Sequence, residues 1–156
     1  MGKFTVIQDT KEQKGWTFEE NAYCEGMVRE NLPTGDYTIK DFEKIFVIER
    51  KADTGEFARN ITEGRFEREL VRMEDFQLPF MVLEFTMNDI LCFPHGSGIP
   101  KQVWPKLRIT GRFMLKRLLD FETIYKTKII LAGRHGKDVA FSLFLRVLEW
   151  QRINQQ

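Results

Sequence analysis

Cysteine and histidine are scarce in this sequence. Its 156 residues include two cysteines, Cys24 and Cys92, and two histidines. The cysteines form no CxxC pair and are expected to be free thiols in a reducing compartment, and no ligand spacing indicates a structural zinc site. Apolar runs near the roughly 20 residues that span a bilayer are absent, as is a secretory signal. We therefore expect a cytoplasmic protein without a membrane partner, folded as a single domain over 1–156.

Charge is distributed unevenly along the chain, although the net charge is only +1. Residues 1–100 contain 12 Lys and Arg against 19 Asp and Glu, whereas 101–137 contain 10 basic residues against two acidic ones. An acidic segment suits metal binding and a basic one suits a polyanion. The alternative is that the basic residues only solvate a helix face. The candidate polyanion contacts in this basic helical region are Lys101, Lys106, Arg108, Arg112 and Arg134.

Hydrophobic periodicity predicts an α/β fold. Strands are expected over 4–8, 80–85 and 128–131, with a hairpin formed by a short strand in 32–39 and a strand over 45–49. Helices are expected over 56–75, 106–125 and 137–152, and 17–30 is interpreted as a loop with a short helix. This order predicts a mixed central sheet of about five strands flanked by helices. The last helix is apolar nearly all round, which is typical of a central helix or of half a dimer interface.

The hairpin carries the most informative side chains. Asp36 stands at the head of its first strand, and Glu49 and Lys51 stand at the end of the second. Residues i and i+2 of a strand point to one face, so Glu49 and Lys51 project together and the hairpin brings Asp36 beside them. Two carboxylates could hold Mg²⁺, and a lysine could stabilise charge on a phosphate under attack. The alternative is an exposed cross-strand charge pattern.

Four segments extend this pattern to a known family. The segments VIQDTKEQ (6–13), LPTGDY (32–37), FVIERKADTGEFARNITEGRF (46–66) and FMVLEF (80–85) resemble the nuclease domain of XPF-type structure-specific endonucleases. That family belongs to the restriction-endonuclease-like, PD-(D/E)XK superfamily. The resemblance covers roughly residues 4–85, with the motifs in the family's order. It implies a nuclease that hydrolyses DNA with Mg²⁺ or Mn²⁺, acts as a homodimer and is found in the cytoplasm, nucleoid or nucleus.

Carried over residue by residue, the resemblance assigns roles at the site. Asp36 and Glu49 become metal ligands with Asp9, and Lys51 becomes the catalytic lysine. Arg50 is expected either to contact phosphate or to fix the hairpin, and Arg65 to bind phosphate or remain solvated. The supporting residues are Glu12, Arg50, Glu56, Arg65 and Glu69.

The chain departs from the family pattern at two places. The family places an Asp after three residues that follow E-R-K, whereas here four residues precede Glu56 and Asp53 lies closer, so either acid could support the site. Glu69 occupies a position that often carries Gln. The expected function is therefore a metal-dependent DNA endonuclease, with a Holliday-junction resolvase or a catalytically silent DNA- or protein-binding subunit as alternatives.

Overall fold

A mixed sheet runs through the molecule in the computed structural model, which describes residues 2–156. Its strands are β1 (Phe4–Asp9), β2 (Cys24–Glu30), β3 (Tyr37–Ile39), β4 (Phe46–Lys51), β5 (Leu78–Leu83) and β6 (Lys128–Leu131). They are ordered β2-β1-β3-β4-β5-β6. Strand β3 is antiparallel to β1 and β4, and the remaining neighbours are parallel. The prediction of an α/β fold with a mixed sheet is confirmed, but the strands number six.

The sixth strand is β2, where a loop with a short helix was predicted, and that prediction is wrong. Strand β2 lies at the edge of the sheet, parallel to β1, and an irregularity in the pairing falls near Gly26. Only Cys24 of its seven residues is buried. An edge strand with mostly exposed side chains lacks the alternation of apolar and polar residues that reveals a strand in sequence.

The predicted helix over 56–75 is two helices, α1 (Thr54–Thr62) and α2 (Arg65–Met73). Gly64 separates them with a φ of 69°, in the left-handed region that glycine enters at little cost. The helix predicted from residue 106 begins later, as α4 (Gly111–Ile124), because the Thr110 side chain accepts a hydrogen bond from the Phe113 N–H and caps it. Shorter helices form at α3 (Met87–Leu91) and as 3₁₀ turns over Lys101–Lys106 and Gly133–His135.

Each face of the sheet is covered by its own hydrophobic core. One core joins Tyr37 and Ile48 to α5 (Gly136–Asn154), which buries Ala140, Phe144 and Val147. The other joins Val47 to α1, α2 and α4. Along β4, Val47, Glu49 and Lys51 therefore face α1 and α2, because alternate residues of a strand share a face. No helix within residues 2–156 has the length and apolar content required to cross a membrane. Both cysteines are free, Cys24 buried and Cys92 exposed.

Candidate active site

The β3–β4 hairpin places Asp36 directly across from Glu49. Tyr37 pairs with Ile48 in antiparallel register, so the preceding Asp36 stands opposite the following Glu49. The Asp36 N–H donates to the Ile48 carbonyl at 2.8 Å, and the Asp36 carboxylate accepts from the Arg50 N–H at 2.7 Å. The Asp9 N–H donates to the Asp36 carbonyl at 2.8 Å. Strands β1 and β4 thus fix Asp36 from both sides.

Gly35 permits this arrangement. Its φ is 82°, and a Cβ at this position would lie 1.9 Å from Val47 Cγ2. Any side chain would therefore push the segment before Asp36 away from β4. The Gly-Asp pair has a simple physical reason: glycine allows the close approach that places the following carboxylate at the site.

Lys51 is held between two carboxylates on the face of β4 that contacts α2. Its Nζ lies 2.7 Å from Glu69 Oε2 and 3.3 Å from Glu49 Oε1. Lys51 is 2% exposed and Glu49 is 9% exposed. Glu69 also lies 3.4 Å from Arg65 Nε, one turn earlier on α2. Buried charged side chains in proteins are usually paired with an opposite charge. Lys51, Glu49 and Glu69 therefore form a buried ion-pair cluster and not an exposed charge pattern.

Asp36 and Glu49 both have raised pKa values. Burial of the carboxylate, reinforced by the charges of Glu12 and Glu69, raises the pKa of Asp36 to about 7. Burial and the charge of Asp36 raise the pKa of Glu49 well above its ordinary value. Burial alone would lower the pKa of Lys51, but the charges of Glu49 and Glu69 raise it, so this ammonium remains protonated at neutral pH.

These residues open into a pocket of about 260 Å³. It gathers most of the side chains predicted for the site from four separate stretches of the chain. The pocket also includes two cations that the sequence did not single out, Lys11 and Arg72. Arg72 follows Arg65 by seven residues on α2, a helical spacing that could have indicated a shared face. The predicted residues in the wall are Asp9, Glu12, Asp36, Glu49, Arg50, Lys51, Glu56, Arg65 and Glu69.

The structure separates the roles of Asp53 and Glu56. The Asp53 side chain accepts from the Glu56 N–H at 2.8 Å and caps α1. Glu56 lines the pocket, and its carboxylate accepts from the Ala52 N–H at 2.8 Å. Of the two acids, Glu56 is therefore the one that borders the site.

Asp9 and Arg50 support the pocket from its edges. The Asp9 carboxylate accepts from the Leu32 N–H at 2.9 Å, which anchors the segment leading to Asp36. The Arg50 guanidinium pairs with Glu84, approaches Glu12 Oε1 at 3.7 Å and lies over the Trp16 ring. These contacts favour the second of the two roles expected for Arg50, that of fixing the hairpin.

The five candidate contacts in the basic region lie away from this wall. Lys101 and Lys106 are in a 3₁₀ turn, Arg108 and Arg112 flank the start of α4, and Arg134 borders a separate depression beside Glu84. All five are exposed. Their contact with a polyanion stays a prediction.

The donor set at the pocket fits a hard divalent cation. Asp36 and Glu49 stand opposite one another, and burial, followed by the charge of Asp36, raises the pKa of Glu49. A bound cation would offset both effects by stabilising the charged carboxylates. Within residues 2–156, Asp, Glu, His and Cys side chains do not gather in a group of three that could enclose a metal ion. Two carboxylates suit Mg²⁺, which keeps several water ligands.

Known proteins share the fold of this chain. Two solved structures of XPF from Aeropyrum pernix share the fold. The first has a TM-score of 0.60 at 16% identity, over 92% of this chain and 60% of that one. The second, a complex with DNA, has a TM-score of 0.59 at 15% identity, over 94% and 66% of the two chains. This chain thus spans less than two thirds of their length. No curated protein sequence matches it.

The family model for the ERCC4 domain matches residues 8–134. That span contains the hairpin, both carboxylates, Lys51 and the α2 wall of the pocket. The resemblance to XPF-type nucleases is confirmed, and this chain belongs to the ERCC4 domain family.

Proposed function

We propose that this chain is a metal-dependent DNA endonuclease whose centre is formed by Asp36, Glu49 and Lys51. The ERCC4 domain family contains structure-specific DNA endonucleases and also inactive members. The observation that supports activity is the burial of Lys51 between Glu49 and Glu69, directly beside Asp36. Buried charges are costly to fold around, so a set of them at a pocket favours catalysis over simple binding.

Each residue of the pocket would have a separate role in hydrolysis. Asp36 and Glu49 would hold Mg²⁺ or Mn²⁺, which when bound lowers the pKa of water and offsets charge on a phosphodiester. Lys51 keeps its proton and donates hydrogen bonds to the phosphate oxygens as negative charge develops on them. Glu69 holds the Lys51 ammonium in place at 2.7 Å. Arg65, with its side chain 63% exposed at the rim, is positioned to contact the substrate backbone.

Cleavage of supercoiled plasmid tests this proposal. Wild-type protein should nick the plasmid with Mg²⁺ and not with EDTA. Asp36→Asn should abolish cleavage, and Lys51→Ala should slow it by about 10²–10³-fold, the loss typical of one oriented charge-stabilising donor. The matched controls, Asp41→Asn and Lys40→Ala, change exposed residues and should cleave normally.

Two outcomes would count against the proposal. Metal-dependent cleavage that persists in both Asp36→Asn and Lys51→Ala would refute the assigned site. Absence of cleavage on plasmid and on linear, flapped and four-way DNA would instead favour a silent binding subunit. Cleavage confined to four-way DNA would identify the protein as a junction resolvase.

We also infer a homodimer formed through α5. Beyond its buried stripe, this helix carries Phe141, Leu143, Leu145 and Leu148, which are only partly covered within the chain. A second copy would cover them. Light scattering should give twice the mass of 18.5 kDa at micromolar concentration, and a monomer at that concentration would refute the inference.

A further inference from the structure

A second groove adjoins the acidic pocket. Its volume is about 560 Å³. Pro33 and Phe76 supply its apolar surface, and Val47, which is 1% exposed, lies beneath its floor. The segment Leu32–Thr34 and Arg72 border both cavities and form their common wall. The groove is therefore continuous with the candidate active site.

Strand β4 sets the direction in which the groove leaves the pocket. Val47 lines the groove, and Glu49 and Lys51 line the pocket, all on one face of the strand. Alternate residues of a strand are about 6.6 Å apart, so the groove begins one such step from the acidic centre. A strand of substrate held at the centre would reach the groove within one nucleotide.

Arg72 stands at the boundary between the two cavities. It is exposed, and no carboxylate within residues 2–156 lies within ion-pair distance of it. The pocket is rich in carboxylates that repel a phosphate, so a phosphate entering it requires an uncommitted cation at the rim. Arginine suits this task because its planar fork of donors matches phosphate geometry.

The far side of the groove limits what can occupy it. Glu43, Lys44 and Asp75 line that side and together carry a net charge of −1. This charge disfavours a second phosphate, whereas the apolar surface near Arg72 suits a nucleobase. The chemistry thus fits one phosphate at Arg72 followed by one base.

We propose that Arg72 and the groove form a subsite for one nucleotide of the DNA strand that is cut, the neighbour of the scissile phosphate. Arg72 binds the phosphate of this nucleotide, and the base lies against Pro33 and Phe76. This assignment rests on the proposed nuclease function. It predicts that the protein recognises an unstacked base, because a base paired in a duplex could not enter the groove.

Binding of short DNA in EDTA tests the subsite without requiring cleavage. The probes are a fluorescein-labelled oligo(dT) strand of about 12 nucleotides and a strand of equal length made of abasic residues. Both carry the same phosphates, so their difference in Kd reports the base. Wild-type protein should bind oligo(dT) more tightly.

Variants of the exposed arginines separate the subsite from general charge. Arg72→Ala should raise the Kd for oligo(dT) about tenfold, lower the slope of log K against log salt by about one, and shrink the preference over the abasic strand. Arg72→Lys should restore the salt slope. Arg59→Ala, which removes an exposed arginine of α1 outside both cavities, should leave all three quantities unchanged.

Several results would overturn the subsite. These are equal wild-type affinity for the two strands, no measurable affinity for oligo(dT), unchanged binding by Arg72→Ala, or an equal loss in Arg59→Ala. Because EDTA prevents metal-dependent hydrolysis, the outcome is separable from the cleavage test. A catalytically silent protein could still show the predicted binding, and an active nuclease could lack it.

Discussion

Replacing Asp36 with Asn should stabilise the metal-free protein at pH 8 even though it removes a proposed metal ligand. Burial raises the pKa of Asp36 from 3.8 to about 7, so the folded protein holds this proton more tightly than the unfolded chain. The stability that the protonated carboxyl contributes is fully present below about pH 4 and is lost as the pH rises through about 7. Asparagine has the same shape, stays neutral and can still accept the hydrogen bond from the Arg50 N–H.

The size of this effect follows from the shift. The pKa of Asp36 rises from 3.8 to about 7, and each pKa unit corresponds to about 1.4 kcal/mol, so the gain in unfolding free energy has an upper bound near about 4 kcal/mol. Partial exposure of Asp36 to solvent reduces this gain to about 1–3 kcal/mol. For a chain of this size each kcal/mol moves Tm by about 2–4 °C. Thermal unfolding in EDTA should therefore show Asp36→Asn melting several degrees above wild type at pH 8, with a smaller gain at pH 5.

A control and a metal titration complete this experiment. Glu19→Gln, an isosteric change at an exposed residue, should leave Tm unchanged at both pH values. Mg²⁺ should raise the Tm of wild type and not of Asp36→Asn, because a ligand that binds only the folded state stabilises it. If Asp36→Asn gives no gain in Tm at pH 8, or the same gain at pH 5, burial does not raise the pKa of Asp36 in the folded protein.

Three further outcomes are expected. Gly35→Ala should lower the free energy of unfolding in urea by about 2–5 kcal/mol, because its Cβ would collide with Val47 at a positive φ; a loss below about 1 kcal/mol would refute this. At subsaturating Mg²⁺ the cleavage rate should rise with pH through about 7, because the cation binds the deprotonated Asp36, and saturating Mg²⁺ should move this rise to lower pH; a flat profile from about pH 5.5 to 8.5 at subsaturating Mg²⁺ would contradict that assignment. Glu69→Gln should retain far more of kcat than Glu69→Leu, because its amide oxygen can still accept a hydrogen bond from Lys51; equal losses would exclude a positioning role.

The site was more predictable from sequence than the sheet around it. The Asp36–Glu49 pairing depends on a short hairpin, and a hairpin places residues close in sequence opposite one another. The glycine before Asp36 and the alternation of residues along β4 are both visible in the sequence, so this geometry could be predicted from it. Sequence alone could not reveal that Glu69 would reach Lys51, because that contact depends on how α2 packs across the face of the sheet.

The errors in the fold have related causes. Strand β2 lies at the edge and buries one residue, so the hydrophobic pattern that marks β4 and β5 is missing. The two helices α1 and α2 look continuous in their periodicity, and the break depends on the conformation of Gly64. The cations nearest the acids belong to 11–72, while the charge count favoured 101–137, because charge along a chain does not determine neighbours in space.

Electron paramagnetic resonance of Mn²⁺ binding tests, without any substrate, whether Asp36 and Glu49 hold one cation between them. Wild-type protein should bind one Mn²⁺ per chain near pH 8. Asp36→Asn and Glu49→Gln should each remove that binding, whereas Asp41→Asn should retain it. If either of the first two variants binds the ion as tightly as wild type, the two carboxylates do not hold one cation between them.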